Sequence, residues 1–208
     1  MQVIATSLKW RAPDKPVRLN PDQLAKFDNG IYLAQKKMDG YRVEIITDSA
    51  GHVSTISRAQ KHIPVSQHIL DEIQELGLPP LSQLDGEWMK RRAGNIEKIS
   101  LFDVLNWDNK WVGSIKCEDR IKILDKITAT EHIEILETVE KDFVEFFGRQ
   151  IGDAESEGIV IKHRNMRMIG NRGESKKNPK CFKIKWRDGV DGQTVVFTKE
   201  DLAVLMEV

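Results

Sequence analysis

Lys37-Met38-Asp39-Gly40-Tyr41-Arg42 sets a lysine and an arginine on either side of an Asp-Gly turn. If Lys37 ends one strand and Arg42 opens the next, both cations can face one pocket. A lysine amine attacks phosphorus only when neutral, so a nucleophilic Lys37 needs desolvation or neighbouring cations. The plain alternative is a hairpin whose lysine is solvated. Leu84-Asp85-Gly86-Glu87-Trp88 places two carboxylates around a glycine in an apolar context. It reads either as a turn with two exposed acids or as a carboxylate that orients the lysine or binds hydrated Mg2+, an ion that takes one or two carboxylates plus phosphate oxygens.

Ser100-Leu101-Phe102-Asp103-Val104-Leu105 has the character of a buried strand, so Phe102 reads first as core, with a stacking face for a purine as the alternative. In Glu157-Gly158-Ile159-Val160-Ile161-Lys162 the acid and the lysine are five positions apart and point to opposite sides of an ideal strand. Both can serve one site only if the strand twists or its end curls. Lys183 and Lys185 are two apart, share a strand face and can meet one phosphate. Paired lysines also serve as an exposed edge that discourages aggregation.

Short elements must position these groups. Asn20-Pro21 reads as an N-cap and first helical residue of a helix ending at Phe27, before Asn29-Gly30. Residues 31–36, 42–47 and 52–57 are rich in β-branched and aromatic side chains and are separated by turn formers, which predicts a β-meander. Helical spacing predicts helices over 65–76, 120–127 and 139–147. Strands are expected over 83–89, 98–105, 132–136, 158–162 and 182–186, with an irregular basic ribbon over 164–180. Strands and helices mix without regular βαβ alternation, so the expected class is α+β, with mainly antiparallel sheets and helices packed on them.

The 208 residues carry no net charge, so partners must be read from where the charges lie. Between Lys162 and Arg187 the one acid, Glu174, stands among many lysines and arginines, whereas residues 131–157 are predominantly acidic. Cys117 and Cys181 lack metal-ligand spacing and fit a reduced cytoplasmic protein, cellular or viral. No apolar run approaches the roughly 20 residues that cross a bilayer, so no membrane partner is expected.

In order, KMDGYR, LDGEW, LFDVL, EGIVIK and FKIK resemble the motif series of ATP-dependent DNA ligases, and more loosely those of RNA ligases and messenger-RNA capping enzymes. The resemblance covers about Ile31 to Trp186. It implies an adenylation (nucleotidyltransferase) domain over 1–187: two mainly antiparallel β-sheets flanked by helices, with the nucleotide in a groove between them. Carried over position by position, Lys37 resembles the nucleophile that takes AMP from ATP. Arg42 resembles the contact to ribose and nick phosphate, and Glu87 the carboxylate near ribose, lysine and metal. Phe102 is similar to the adenine-stacking ring, and Glu157 to the second metal-linked carboxylate. Val160 and Lys162 then line the base and phosphate sides, and Lys183 and Lys185 grip the α-phosphate. Gln35 stands where many DNA ligases have Glu, a tolerable variation at a nucleotide-binding position.

Arg58, after Ser57, resembles a contact to the terminal 5′-phosphate. Arg164, Arg167, Arg172, Lys176 and Lys177 are expected to grip the nucleic-acid backbone, the alternative being a solvated ribbon. The implied activity is Mg2+-dependent sealing of nicked duplex, DNA favoured, by a monomer in DNA repair, replication or recombination. RNA ligation is one alternative, and an inert binding module descended from a ligase is the other. DNA ligases continue into an oligonucleotide-binding barrel, whereas residues 188–208 read as one strand, from Val190 to Phe197, and a helix opened by a Thr198–Asp201 capping box. Either the chain is an excised domain, or it is a minimal ligase that manages the first step otherwise, for example with a partner that supplies the barrel's function.

Overall fold

A computed structural model of the chain describes residues 8, 10–90, 96–170, 174–190 and 193–206. In chain order the elements begin with β1 (Lys15–Arg18), a 3-10 helix (Pro21–Phe27), β2 (Tyr32–Met38), β3 (Tyr41–Thr47), β4 (Val53–Ile56) and α1 (Gln67–Glu75). They continue with β5 (Gln83–Met89), β6 (Lys98–Trp107), β7 (Lys110–Trp111), α2 (Cys117–Leu124), β8 (Ile133–Ile135) and β9 (Thr138–Val139). The last are α3 (Phe143–Gln150), β10 (Ser156–His163), β11 (Lys177–Lys185), β12 (Arg187–Val190), β13 (Gln193–Val196) and α4 (Lys199–Met206). The chain forms two compact units, one of residues 1–14, 40–136 and 167–176, the other of 15–39, 137–166 and 177–208.

The first unit is built on a sheet of order β4-β3-β5-β6-β7, antiparallel along that path, with β8 parallel to β6. Alternation along β3 and β5 sends Val43, Ile45 and Leu84 into a core shared with Leu101 and Val104 of β6, Ile69 and Ile73 of α1 and Leu124 of α2. Arg42 and Glu44 of β3 and Asp85 and Glu87 of β5 alternate with these residues and share the other face, Arg42 opposite Glu87 and Glu44 opposite Asp85. Fully buried Arg120 of α2 donates through Nε to Asp103 at 2.8 Å, so neither charge is left unpaired.

The second unit has the sheet order β1-β11-β10-β2-β9, in which β1 runs parallel to β11 and the other pairs are antiparallel. Ala34, Ile159, Ile161 and Ile184 form the apolar face, packed with Leu24 of the 3-10 helix, Phe143, Phe146 and Phe147 of α3 and Leu202 of α4. β12 and β13 make an antiparallel hairpin. Thr198 and Asp201 cap α4 reciprocally: the Asp201 carboxylate takes the Thr198 amide at 2.8 Å, and the Thr198 hydroxyl takes the Asp201 amide at 3.2 Å. No described helix is long and apolar enough to cross a membrane. Cys117 and Cys181 are both free and buried.

The α+β class and the two mainly antiparallel sheets are as expected; the β-meander over 31–57 is not. β2 pairs with β10 and β9, while β3 pairs with β4 and β5, so Asp39-Gly40 passes from one sheet to the other. Gly40 is required by close approach, because a Cβ there would lie 2.5 Å from the Trp88 carbonyl oxygen. Helix α3 starts at Phe143 because Thr138–Val139 is taken up as β9 on the edge of β2. Helix α2 runs from Cys117 to Leu124, earlier than the apolar spacing suggested. The basic ribbon ends in a strand, since β11 begins at Lys177. The expected terminal strand is a hairpin beginning at Arg187.

Candidate active site

In the second unit the site is a consequence of register. Gly158 of β10 lies opposite both Lys37 of β2 and Lys185 of β11, and Val160 lies opposite both Gln35 and Lys183. Lys162 continues the row opposite Leu33 and Cys181. Residues paired directly across antiparallel strands share a face, so Gln35, Lys37, Val160, Lys162, Lys183 and Lys185 stand together on the face opposite Ile159, Ile161 and Ile184.

Glu157 joins them through a β-bulge. The pairing of β10 with β2 shifts between Ser156 and Gly158, which leaves Glu157 as the extra residue. One Glu157 carboxylate oxygen accepts from the Lys37 ammonium and the other from the Lys185 ammonium. Burial by itself would push the Glu157 carboxyl up. The hydrogen bonds from Lys185 and Lys37, with their charges, outweigh burial and hold the carboxyl below its usual range. The bulge thus resolves the spacing problem of Glu157 and Lys162.

Gln35 is buried and donates from Nε2 to the Thr138 hydroxyl at 2.9 Å, which anchors it to β9. Asp39, next to the sheet crossing, donates its amide to the Glu155 carbonyl at 2.9 Å and accepts from Arg187 at 2.6 Å.

In the first unit Arg42 donates from Nε to Asp85 at 2.7 Å, from Nη2 to the second Asp85 oxygen, and from Nη1 to the Asp14 carbonyl at 3.3 Å. Burial opposes the Arg42 charge, but paired Asp85 more than compensates and raises its pKa further. A second register shift, between Asp85 and Gly86, makes Phe102 the extra residue of β6. Leu101 and Val104 enter the core, and half-buried Phe102 lies outside it, its ring centroid 5.3 Å from the Arg42 guanidinium carbon. The core reading of Phe102 therefore gives way to that of a ring on the polar face.

Sequence reasoning missed Glu44 and Asp14. Fully buried Glu44 accepts from Trp10 Nε1 at 2.7 Å and Gln83 Nε2 at 2.5 Å through one oxygen, and its other oxygen makes no hydrogen bond. Burial, followed by the neighbouring Asp85 charge, pushes its pKa up to about 8. A signal was available, because Arg42 and Glu44 are polar at i and i+2 in an otherwise apolar strand. Asp14 had none, since its partners are amides far along the chain.

Glu87 and Glu157 belong to different units, and no group of three or more His, Cys, Asp or Glu among the described residues is arranged to hold a metal ion. Hard oxygen donors of this type fit Mg2+ completed by phosphate oxygens and water. Arg58 is exposed in the turn that follows β4. Arg164 is engaged by the Gly30 carbonyl at 2.9 Å and by Glu140, also at 2.9 Å. Arg167, Lys176 and Lys177 are exposed, and Arg172 lies outside the described residues.

The RNA ligase family model matches residues 30–185. The match spans most of the sequence, including every motif from KMDGYR to FKIK, and the chain belongs to the RNA ligase family. Its fold is that of a ligase nucleotidyltransferase domain. The ligase domain of M. tuberculosis LigD is similar with a TM-score of 0.63 at 19% identity, over 86% of this chain and 60% of that one. A mycobacterial DNA ligase D complexed with ATP and MES gives 0.64 at 20% identity, over 86% and 61%. An archaeal ATP-dependent RNA ligase gives 0.51 at 16% identity, over 82% and 47%. This chain thus spans about three fifths of the mycobacterial ligase chains it matches. No curated protein matches it by sequence.

Proposed function

We propose that the chain is the nucleotidyltransferase domain, residues 1–187 with an appended hairpin strand and helix over 188–208, of an ATP-dependent polynucleotide ligase that seals 5′-phosphate/3′-hydroxyl nicks through lysyl-AMP on Lys37. The observation that carries this reading is the single sheet face on which Lys37, Glu157 and Lys185 touch, with Lys183 in the same row.

The Lys37 amine, freed of its proton, forms a bond to the α-phosphorus of ATP as the bond to pyrophosphate breaks. Lys183 and Lys185 neutralise the charge that develops on the α-phosphate oxygens, and Lys162 adds to the same field. Phe102 stacks on adenine, Val160 and Gln35 line the base, and Arg42, held rigid by Asp85, meets the ribose and then the nick phosphate. A 5′-phosphate oxygen next displaces Lys37 from the adenylate phosphorus. The 3′-hydroxyl then attacks the 5′-phosphorus, and AMP leaves. Magnesium, for which Glu157 of the second unit and Glu87 of the first are candidate oxygen donors, would supply further charge neutralisation at the phosphates.

DNA is the favoured substrate, in repair, replication or recombination, because Arg42 after the glycine and the Asp85-Gly86-Glu87 series look more like DNA ligases. The match to the RNA ligase family supports a second reading, RNA-end joining. Sealing of a 5′-phosphate-labelled nick, once in an all-DNA duplex and once in an all-RNA duplex, separates the two. DNA is expected to be sealed faster by about tenfold or more, roughly 1.4 kcal/mol of transition-state discrimination. Faster sealing of RNA would replace the DNA reading with the second.

A further inference from the structure

Residues 10–14 form a clip across the polar face of the first unit's sheet. Trp10 donates to Glu44 at 2.7 Å, the Arg11 carbonyl accepts from Gln83 at 3.1 Å, and the Asp14 carbonyl accepts from Arg42 at 3.3 Å. The clip also reaches forward in the chain. The buried Asp14 carboxylate accepts the Gly170 amide at 2.7 Å, and its two oxygens lie 3.2 and 3.0 Å from the Ile169 amide. Gly170 is packed so closely that a Cβ on it would stand 2.2 Å from the Ala12 carbonyl oxygen. The Met168 amide is held by the Gly113 carbonyl at 2.8 Å, so consecutive amides of this segment are all committed.

The segment is part of the basic stretch, with exposed Arg167 before it and exposed Lys176 and Lys177 after it. Exposed lysines and arginines hold a polyanion more tightly when the backbone that carries them is fixed beforehand, since ordering it on binding costs affinity. We propose that Asp14 is a positioning residue for nucleic acid: its carboxylate fixes the 168–170 backbone so that Arg167 and Lys176 of the same unit are presented to the phosphates of the nicked duplex. This rests on the ligase reading for the nature of the duplex. The Asp14 carboxylate meets the Ile169 and Gly170 amides, and its main-chain oxygen meets Arg42.

The test compares Asp14→Ala, Asp14→Asn and Gly170→Ala with the parent chain in two measurements. One is the dissociation constant for a fluorescent nicked DNA duplex, and the other is AMP adduct formation with ATP and Mg2+. Asp14→Ala removes the acceptor of the Ile169 and Gly170 amides and should weaken duplex binding by about tenfold while adduct formation stays within about twofold, and Gly170→Ala, which crowds the Ala12 carbonyl, should weaken duplex binding as well. Asp14→Asn keeps one acceptor oxygen and should fall between them and the parent. Unchanged duplex binding in both clip-breaking variants would overturn the proposal, as would parallel loss of binding and adduct formation. If the parent formed no adduct but the variants still weakened duplex binding, the clip would stand and the ligase reading would fall.

Discussion

Gly158→Ala is expected to cost on the order of 3 kcal/mol of stability and to slow AMP transfer by more than about tenfold. Gly158 has φ +142°, a region that L side chains rarely adopt, and an added Cβ would lie 1.9 Å from the Ile184 carbonyl oxygen. That atom is backbone in the middle of the sheet and has no rotamer through which to escape. Relief requires β10 and β11 to separate or the bulge to close, and closing it turns Glu157 away from Lys37 and Lys185. Denaturant midpoints give the stability, and single-turnover adduct formation gives the rate. A variant as stable and as fast as the parent would show that the bulge does not depend on this glycine.

Glu44→Gln should change the pH dependence of stability. In the folded chain the Glu44 carboxyl titrates at about 8, against an ordinary value of 4.5, because it is buried and faces Asp85. The charged and titratable neighbours that set this value are Arg42 and Asp85, while Trp10 and Gln83 donate hydrogen bonds. Between those two values the folded state keeps a proton that the unfolded state has released, so the free energy of unfolding falls as pH rises. The contribution is fully present below about pH 4.5 and is lost towards about pH 8, on the order of a few kcal/mol in all. Glutamine still accepts from Trp10 and Gln83 but cannot ionise, so the variant's stability should decline less steeply over this window and exceed the parent's near pH 8. Equal slopes for the two proteins, measured as denaturant midpoints from pH 5 to 8, would show that Glu44 ionises normally.

Local pattern carried part of the site into view. Lys183 and Lys185 share a face because they are two apart on β11, as period-2 alternation requires. The capping box at Thr198 and Asp201 was legible from residue types at fixed spacing. What depends on distant partners was not. β2 seemed to continue into β3, but its partners β9 and β10 lie about a hundred residues further on. The bulges that bring Glu157 and Phe102 to their faces are set by register against neighbouring strands; Gly158 is a local hint of the first, and nothing local in LFDVL specifies the second. Charge alone also left existing partners out of view. Arg164 belongs to the basic stretch, yet Glu140 and the Gly30 carbonyl already engage it. Asp14 escaped notice because its role lies in amides at Ile169 and Gly170.

The most direct test of a covalent role for Lys37 is intact mass of the chain after incubation with ATP and Mg2+, beside Lys37→Ala. A gain of one AMP in the parent, mapped to the Lys37 peptide and missing from the variant, is the expected result. An adduct on another residue, or one that persists in Lys37→Ala, would contradict the assignment of the nucleophile. If no adduct forms, a nick that already carries 5′-AMP should be supplied, and failure to seal that as well would leave a nucleic-acid binding module in place of a ligase.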